Sequence, residues 1–222
     1  MQKIVISIGG SVLFPKKIDT IFLKNFSSLI KKNSKEKKFF LVVGGGSTAR
    51  RYIRIGRKLT LDEKTLDDIG ISITRINAEI LKNILGLKYD IPTNTDDAIE
   101  KDSIVVMGGT RPGHSTDMVG AELAEKTKAD KFIIATNVDG IFNKDPNKFS
   151  DAKMISKISV DKLIKKYGTK WTEAGKNMVV DPPALKIIKR AKIPSFVING
   201  RKLDRLQSLL KNKKGIGTVI KT

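Results

Sequence analysis

The chain has 222 residues, of which 40% are hydrophobic and 30% are charged, and it contains no cysteine. The apolar content argues against intrinsic disorder, and the length suits one sizeable core. The lack of cysteine excludes disulfides, thiolate metal sites and cysteine nucleophiles, and it fits a reducing compartment. We find no signal peptide and no apolar run near the roughly 18 residues that cross a bilayer. We therefore expect a cytoplasmic protein with no membrane partner.

The formal net charge of +20 at pH 7 raises the question of a nucleic-acid partner. Most of the excess is lysine, scattered in pairs such as Lys31-Lys32 and Lys165-Lys166, and aromatic residues make up only 6% of the chain. Nucleic-acid sites usually interleave aromatic or arginine side chains with such charge. We therefore predict solvated lysine faces and no nucleic-acid partner.

Apolar runs of strand length alternate with helical patterns along the chain. The predicted strands are 3–8, 38–43, 103–107, 131–136, 194–198 and 217–220. The predicted helices are 18–32, 47–57, 62–86, 117–128, 159–167, 182–191 and 203–211. The runs at 39–43 and 132–135 are apolar on both faces, which is typical of central strands in a parallel sheet covered by helices. This alternation predicts an α/β fold, a three-layer α/β/α sandwich with a largely parallel central sheet, as a single domain over residues 1–222.

Three predicted strands run directly into glycine, at Gly9-Gly10-Ser11, Gly44-Gly45-Gly46-Ser47 and Gly108-Gly109-Thr110. Ligands of open parallel sheets bind beyond the carboxyl ends of the strands, where glycine lets backbone N–H groups approach a phosphate and the next helix adds its dipole. One such turn alone would indicate only a tight connection, whereas three favour a polyphosphate ligand. Neither a GxxxxGK[ST] nor a GxGxxG motif occurs, which disfavours P-loop ATPases and ordinary Rossmann dehydrogenases.

Two polar loops follow the third and fourth predicted strands. The loop from Gly108 to Asp117 is rich in hydroxyls and holds the only histidine, His114. It suits an anionic acceptor at a helix N-terminus capped by Ser115 or Thr116, although a simple capped loop would also explain it. A lone loop histidine is more often a hydrogen-bonded bystander than a catalytic base. The segment from Thr136 to Asp145 could hold a purine and its ribose, but alone it is more typical of a plain loop.

Together these segments resemble the amino acid kinase family, and within it the archaeal uridylate kinases, over essentially the whole chain. The segments that carry the resemblance are Ile8–Leu13, Val42–Gly46 with Ala49-Arg50, Asp68–Ile71 with Thr74-Arg75, Met107–Asp117, Thr136–Gly140, and Val180–Pro182 leading to Lys186. Ser7 departs from the lysine found in most of the wider family, as it does in the archaeal branch. Phe142 stands where tyrosine is common, which leaves the detail of the adenine contacts open.

The resemblance implies ATP-dependent phosphorylation of UMP to UDP by direct in-line transfer with Mg²⁺, in pyrimidine nucleotide biosynthesis, by a homohexamer. It implies that the N-terminal part mainly binds UMP and the C-terminal part mainly ATP. On the ATP side the implied residues are Gly10, Ser11, Gly46, Arg50, Thr136, Asn137, Phe142 and Asp145. On the UMP side they are Gly45, Asp67, Thr110, Arg111, Pro112, Gly113, His114, Ser115 and Thr116. No dedicated protein metal site is predicted.

Arg50 and Lys186 are the catalytic candidates, because phosphoryl transfer needs alignment and charge neutralisation rather than a protein nucleophile. Lys186 could instead be one surface lysine among many. Asp117 and Asp181 could orient the metal or these cations, or could simply cap helices.

Other functions stay open at this stage. They are another kinase of the same fold, such as an isopentenyl phosphate, carbamate or aspartate kinase, a non-catalytic nucleotide sensor, and a nucleic-acid-binding module. The polar loop and Asp67 favour a nucleotide acceptor over the apolar pocket and the lysine in place of Ser7 that an isopentenyl phosphate kinase would be expected to carry.

Overall fold

A computed structural model describes residues 1–101, 104–170 and 179–222. The strands are β1 (Gln2–Ile8), β2 (Lys37–Val43), β3 (Ile104–Met107), β4 (Lys131–Thr136), β5 (Ile141–Phe142), β6 (Met154–Ile155), β7 (Lys157–Ser159), β8 (Ser195–Asn199) and β9 (Thr218–Lys221). The helices are α1 (Gly10–Leu13), α2 (Thr20–Asn33), α3 (Gly46–Lys58), α4 (Glu63–Ile84), α5 (Thr95–Ile99), α6 (Thr116–Thr127), α7 (Val160–Tyr167), α8 (Pro182–Ala191) and α9 (Leu203–Leu210).

Each predicted strand and helix corresponds to an element of the structure, although residue 103, where the third strand was expected to begin, lies outside the described residues. The elements that the sequence did not predict are short ones: α1, α5, β5, β6 and β7. In the described ranges, no helix is both long enough and apolar enough to cross a membrane.

In the part of the chain that the structure describes, the central sheet has seven strands in the order β3-β2-β1-β4-β8-β9-β7. The strands from β3 to β8 are mutually parallel, β9 runs antiparallel to β8, and β7 is parallel to β9. A separate hairpin pairs β5 with β6. The predicted α/β fold with a largely parallel sheet is therefore confirmed.

The strands bury side chains on both faces, and helices cover each face. In β1, Ile4, Ile6 and Ile8 pack into one core cluster with residues of α1, α2, α4 and α9. Val5, on the other face, belongs to a second cluster formed with α5, α6, α7 and α8. Because β2 is buried on both faces as well, its continuous apolar run is explained by its central position. The result is the predicted three-layer sandwich.

Several lysines near the amino ends of the strands cap helices with their ammonium groups. Lys3 donates to the Thr127 carbonyl at the end of α6 (3.0 Å), and Lys131 donates to the Leu209 carbonyl in the last turn of α9 (2.9 Å). Lys38 reaches the Ile99 carbonyl at the end of α5 (3.3 Å). The last carbonyls of a helix lack internal partners and carry partial negative charge, so these cations stabilise the helix ends.

Candidate active site

The strand order reverses beside β1, because β2 and β3 lie on one side of it and β4 lies on the other. Such a switch point leaves a crevice at the carboxyl ends of the strands. A cleft of about 640 Å³ lies at this position, lined by the turns after β1, β2, β3 and β4. The glycine-rich turns that the sequence singled out therefore meet in one place.

Most of the predicted site residues line this cleft. They are Gly10, Ser11, Gly45, Gly46, Arg50, Asp67, Arg111, Gly113, His114, Ser115, Thr116 and Thr136. The other predicted residues do not belong to its lining as described: Thr110, Pro112, Asn137, Phe142, Asp145 and Lys186. The structure thus brings together the glycine turns, most of the loop after β3 and the end of β4.

The turns after β1 and β2 pack backbone against backbone. A Cβ added to Gly10 would lie 1.9 Å from the backbone nitrogen of Gly46. A Cβ on Gly46, whose φ is +67°, would lie 2.5 Å from the carbonyl oxygen of Phe14. Only glycine fits at both positions, so the start of α3 presents bare backbone N–H groups and the positive end of its dipole to the cleft.

Two arginines of α3 line the cleft and differ in their partners. Arg57 pairs with Glu63 at 3.2 Å, at the start of α4. Arg50 is exposed, and within the described part of the chain no ion pair is recorded for it. Of these two cations, Arg50 is therefore the one that is available to a bound phosphate.

Helix α4 holds the loop after β3 through side chains for which sequence reasoning had given no role. Arg75 donates from Nε to the Gly109 carbonyl (3.2 Å) and from Nη2 to the Thr110 carbonyl (3.0 Å). Thr74 Oγ1 accepts from the backbone nitrogen of Gly109 at 2.6 Å. The partners are 34 or 35 residues apart in the chain, so no local pattern could have indicated these bonds.

The same helix also contacts the turn after β2 and the far end of the loop. Asn77, which is buried, donates to the Gly44 carbonyl at 2.9 Å. Asp67 Oδ2 accepts from the backbone nitrogen of Gly113 at 2.7 Å. Among the described residues, the hydroxyl oxygen of Thr110 is buried without a hydrogen-bond partner. The α4 side chains therefore fix the turn and the loop relative to each other.

A pair of carboxylates lies where α6 and α8 begin. Ser7, which is fully buried, donates to Asp117 Oδ1 at 2.5 Å, and the backbone nitrogen of Asp181 lies 3.4 Å from Asp117 Oδ2. Burial, reinforced by the charge of Asp181, raises the pKa of Asp117 to about 7. Burial also raises the pKa of Asp181, although the Ser115 hydroxyl opposes that rise. Both carboxylates line the cleft, and desolvation makes their joint ionisation costly.

Ser115 is the N-cap of α6, as one of the two predicted alternatives had it. Its Oγ accepts from the backbone nitrogen of Met118 at 3.1 Å, which satisfies one of the free donors at the start of the helix. Asp117, one of whose proposed roles was helix capping, is instead buried against Ser7. At the start of α6, Ser115 therefore caps the helix, while the carboxylate of Asp117 lines the cleft.

Lys186 lies in α8 and lines a smaller cavity of about 380 Å³ together with Lys170, Arg190, Met118 and Gly113. Gly113 also lines the larger cleft, so the two cavities meet at the loop after β3. The structure thus places Lys186 next to the main cleft rather than in its wall. Its catalytic role stays a prediction.

The remaining residues predicted for the adenosine side follow β4. Phe142 pairs with Met154 in the short β5–β6 hairpin, and Asp145 Oδ1 accepts from the backbone nitrogen of Asn147 at 2.9 Å. Thr136 and Asn137 contact each other through their side-chain oxygens at 3.3 Å. The hairpin therefore stands beyond the end of β4, and its part in nucleotide binding stays a prediction.

The site lies at the switch point of a doubly wound sheet and combines glycine turns, an available arginine and buried carboxylates. These features define an α/β protein that binds phosphate groups. The model of the amino acid kinase family matches residues 2–199, and the chain belongs to this family. This confirms the resemblance seen in the sequence.

The chain is similar along its whole length to curated archaeal relatives. It is 42% identical to the uridylate kinase of Methanobrevibacter smithii over 224 residues, with 99% of both chains covered. It is 44% identical to the uridylate kinase of Methanocaldococcus jannaschii over 231 residues, again with 99% of each covered. The crystal structure of uridylate kinase from Archaeoglobus fulgidus superimposes with a TM-score of 0.85 at 38% identity, covering 99% of this chain and all of that one.

Proposed function

We propose that the protein is a UMP kinase, which transfers the γ-phosphoryl group of ATP to UMP and so makes ADP and UDP in pyrimidine nucleotide biosynthesis. The observation that carries the proposal is a cleft in which two contacting glycine turns face a hydroxyl-rich loop held by α4. A donor phosphate chain and a phosphorylated acceptor can meet there. The whole-length similarity to uridylate kinases narrows the acceptor to UMP.

On the donor side, the backbone N–H groups of Gly10, Ser11 and Gly46 would bind the phosphates of ATP. Arg50 would neutralise charge on the transferring phosphoryl group, because a preorganised cation acts most strongly where charge develops. Lys186 would add a second cation from the adjoining cavity. Thr136, Asn137, Phe142 and Asp145 would form the adenosine side, so the C-terminal part of a single domain would mainly bind ATP.

On the acceptor side, the N-terminal part would mainly bind UMP. Gly45, Asp67 and the loop from Thr110 to Thr116 would hold the nucleotide. Asp67 already accepts one bond from Gly113. Because a carboxylate has about four acceptor sites, it can still accept from ribose hydroxyls. The backbone donors of the loop can read the uracil edge and the α-phosphate.

Mg²⁺ would accompany ATP, and when bound it would neutralise the β- and γ-phosphates. Among the described residues no group of three or more potential ligands is arranged for a metal ion, so the phosphates would supply much of the coordination. Asp117 and Asp181 fit such an ion, because carboxylate oxygens are ligands that Mg²⁺ prefers and the pair is otherwise destabilised by its own charge.

We further propose that the protein acts as a homohexamer in the cytoplasm, without nucleic-acid or membrane partners. Apolar side chains are exposed at helical spacing on α3, at Tyr52, Ile55 and the adjoining Leu59, and on α4, at Ile76 and Ile80. Exposed apolar surface of this kind is suited to subunit contacts. Sedimentation equilibrium should give a mass of about six chains, whereas a monomer at all concentrations would contradict the assembly.

The activity is tested by a coupled ADP-release assay with ATP and Mg²⁺ and a panel of acceptors: UMP, CMP, dCMP, isopentenyl phosphate, carbamate and aspartate. We expect UMP to be turned over much faster than any other member of the panel. Equal turnover of CMP would contradict the uracil specificity, and turnover of isopentenyl phosphate alone would contradict a nucleotide acceptor. Nucleotide binding without ADP release from any acceptor would indicate a sensor.

A further inference from the structure

His114 is the only histidine in the chain, and both of its ring nitrogens face charged side chains. Arg111 Nε donates to His114 Nε2 at 2.9 Å. On the other side of the ring, His114 Nδ1 lies 3.4 Å from Glu122 Oε1 on α6. The imidazole is 11% exposed, so it is held between these two neighbours rather than in solvent.

The hydrogen-bond chemistry fixes the tautomer of this ring. A guanidinium can only donate, so Nε2 must offer a lone pair and the ring proton of a neutral imidazole must be on Nδ1. Nδ1 is buried, and its contact with Glu122 is longer than a standard hydrogen bond, but no closer acceptor is recorded among the described residues. A carboxylate facing a ring N–H is the usual device for orienting an imidazole.

We propose that Glu122 and His114 are positioning residues that hold the guanidinium of Arg111 over the acceptor pocket, and that protonation of His114 releases it. The inference rests on the proposed function, because the acceptor whose binding it affects is UMP. Arg111 is exposed and lines the cleft. An exposed arginine loses rotamer freedom when it binds an anion, so a fixed guanidinium binds more tightly than a free one.

Burial favours the neutral form of the ring. Burial lowers the pKa of His114 and the charge of Arg111 adds to this effect, whereas Glu122 opposes both. Arg190 lies near Glu122, and Asp67 on α4 holds the backbone of the neighbouring Gly113. Lys186 faces the same loop from α8 across the smaller cavity. Once Nε2 is protonated, it and Arg111 Nε are both donors, and their contact becomes repulsive.

The first test needs no turnover, so it is independent of the proposed function. Nitrogen-15 NMR of histidine-labelled, untagged protein reports one imidazole without ambiguity, because the chain has one histidine. We expect the neutral ring to carry its proton on Nδ1 and the pKa to lie below the ordinary value of 6.5. In Glu122→Ala, which lacks the opposing carboxylate, the pKa should fall further. A proton on Nε2 in the wild-type protein would overturn the proposal.

The second test separates the two substrates. Glu122→Ala should raise the KM for UMP about 10-fold and leave the KM for ATP within about twofold. Glu79→Ala is the matched control, because it removes another helix glutamate that forms an ion pair, in this case with Lys82 at 2.6 Å and outside the loop after β3. Equal KM values for UMP in the two variants would overturn the proposal.

The third test uses pH. Between about pH 8 and pH 5.5 the wild-type KM for UMP should rise as His114 is protonated, in addition to any change that Asp117 or the phosphate of UMP contributes in this range. His114→Gln has no imidazole to protonate, so the ratio of its KM for UMP at about pH 5.5 to that at about pH 8 should be smaller than the wild-type ratio. Equal ratios in the two proteins would overturn the proposal. Absence of any UMP turnover in the wild-type protein would instead contradict the proposed function, while the NMR result would stand.

Discussion

A serine at position 7 places a hydroxyl, rather than the lysine of the wider family, beside Asp117. Ser7 can donate one hydrogen bond to the carboxylate but cannot neutralise it. With Asp181 close by, burial raises the pKa of Asp117 to about 7 instead of the lower value that a lysine partner would impose. The site therefore carries an electrostatic cost in the ligand-free protein.

That cost should appear as a pH-dependent stability. The folded protein holds the proton of Asp117 up to about pH 7, whereas the unfolded chain releases it near 3.8. The contribution of Asp117 to the free energy of unfolding therefore falls as pH rises between these values and is constant above them. We expect Asp117→Asn to be more stable than wild type in urea unfolding at about pH 8, with the difference shrinking towards about pH 4.

A difference between Asp117→Asn and wild type that grows as the pH is lowered would contradict this prediction. Ser7→Ala serves as the control, because it removes the hydrogen bond that lowers the pKa of Asp117 but keeps the carboxylate. Its pH dependence should be at least as steep as that of the wild-type protein.

Arg50 should act on the transition state rather than on ATP binding. Because no lysine stands at Ser7 to share the charge, Arg50→Ala should lower kcat by about 100-fold, in line with the loss of one preorganised donor. Arg50→Lys should recover only part of this, since an ammonium cannot make a bidentate contact. Arg51→Ala is the matched control, because Arg51 is exposed on the same helix and does not line the cleft.

The measurement is kcat at saturating ATP and UMP for each purified, folded variant. A kcat for Arg50→Ala within about threefold of wild type would mean a barrier change of only about 0.65 kcal/mol, and Arg50 would then be a surface residue.

At the level of elements, the sequence predicts the parts whose formation is local. The long apolar runs of β2 and β4 and the glycine turns indicated both the sheet and the edge where ligands bind. The bonds from Arg75 to Gly109 and Thr110 join residues that are 34 and 35 positions apart, so only the tertiary structure reveals them. The strands β5, β6 and β7 have two or three residues each and no apolar alternation of sufficient length.

Helix α4 should therefore control the acceptor side of the cleft. Arg75→Met keeps the apolar stem but removes two bonds to loop carbonyls. A bond from a charged donor contributes about 1.5–3 kcal/mol. Because these two bonds hold the loop rather than the nucleotide, we expect UMP binding to lose the equivalent of about one bond, which is a rise of roughly 10- to 100-fold in the KM for UMP with a smaller effect on ATP. Initial-rate kinetics with each substrate varied in turn provide the check. Equal increases in both KM values would mean that α4 acts on the whole cleft.

The close contact between the turns after β1 and β2 leads to a prediction about Gly46. Gly46→Ala should abolish ATP binding and strongly destabilise the fold, because its Cβ would lie 2.5 Å from a backbone oxygen. Gly215→Ala is the control that measures the cost of the positive φ alone, because Gly215 has a φ of +77° and open space around the added Cβ. It should cost only about 1–2 kcal/mol in urea unfolding. Similar costs for the two variants would contradict the backbone clash.

Taken over the whole molecule, part of the lysine excess has a structural use. Lys3, Lys38 and Lys131 cap helix ends at the edge of the sheet opposite the cleft. The sequence alone could not assign these lysines, because their partners are between 61 and 124 residues away. The net charge of +20 therefore does not by itself indicate a polyanionic partner.

We accordingly expect only weak, salt-sensitive association with nucleic acid. At near-physiological salt, fluorescence anisotropy with labelled duplex DNA and single-stranded RNA should give Kd values in the range of about 10⁻⁴ to 10⁻⁶ M without sequence preference. Nanomolar binding to one sequence under those conditions would contradict the prediction and would favour a nucleic-acid-binding function.

The strand order also has a consequence for synthesis on the ribosome. The strands β1, β2 and β3 are neighbours in the sheet and emerge in succession, so they can pair as soon as they are made. By contrast, β7 lies at the end of the sheet, where its partner among the described strands is β9, which lies between it and β8. At a synthesis rate of about 5–20 residues per second, β9 is made roughly 3–12 s after β7, and until then β7 lacks the partner that attaches it to the sheet. During that interval the C-terminal half exposes unpaired strand edges, and it is the half in which nascent chains would first need a chaperone.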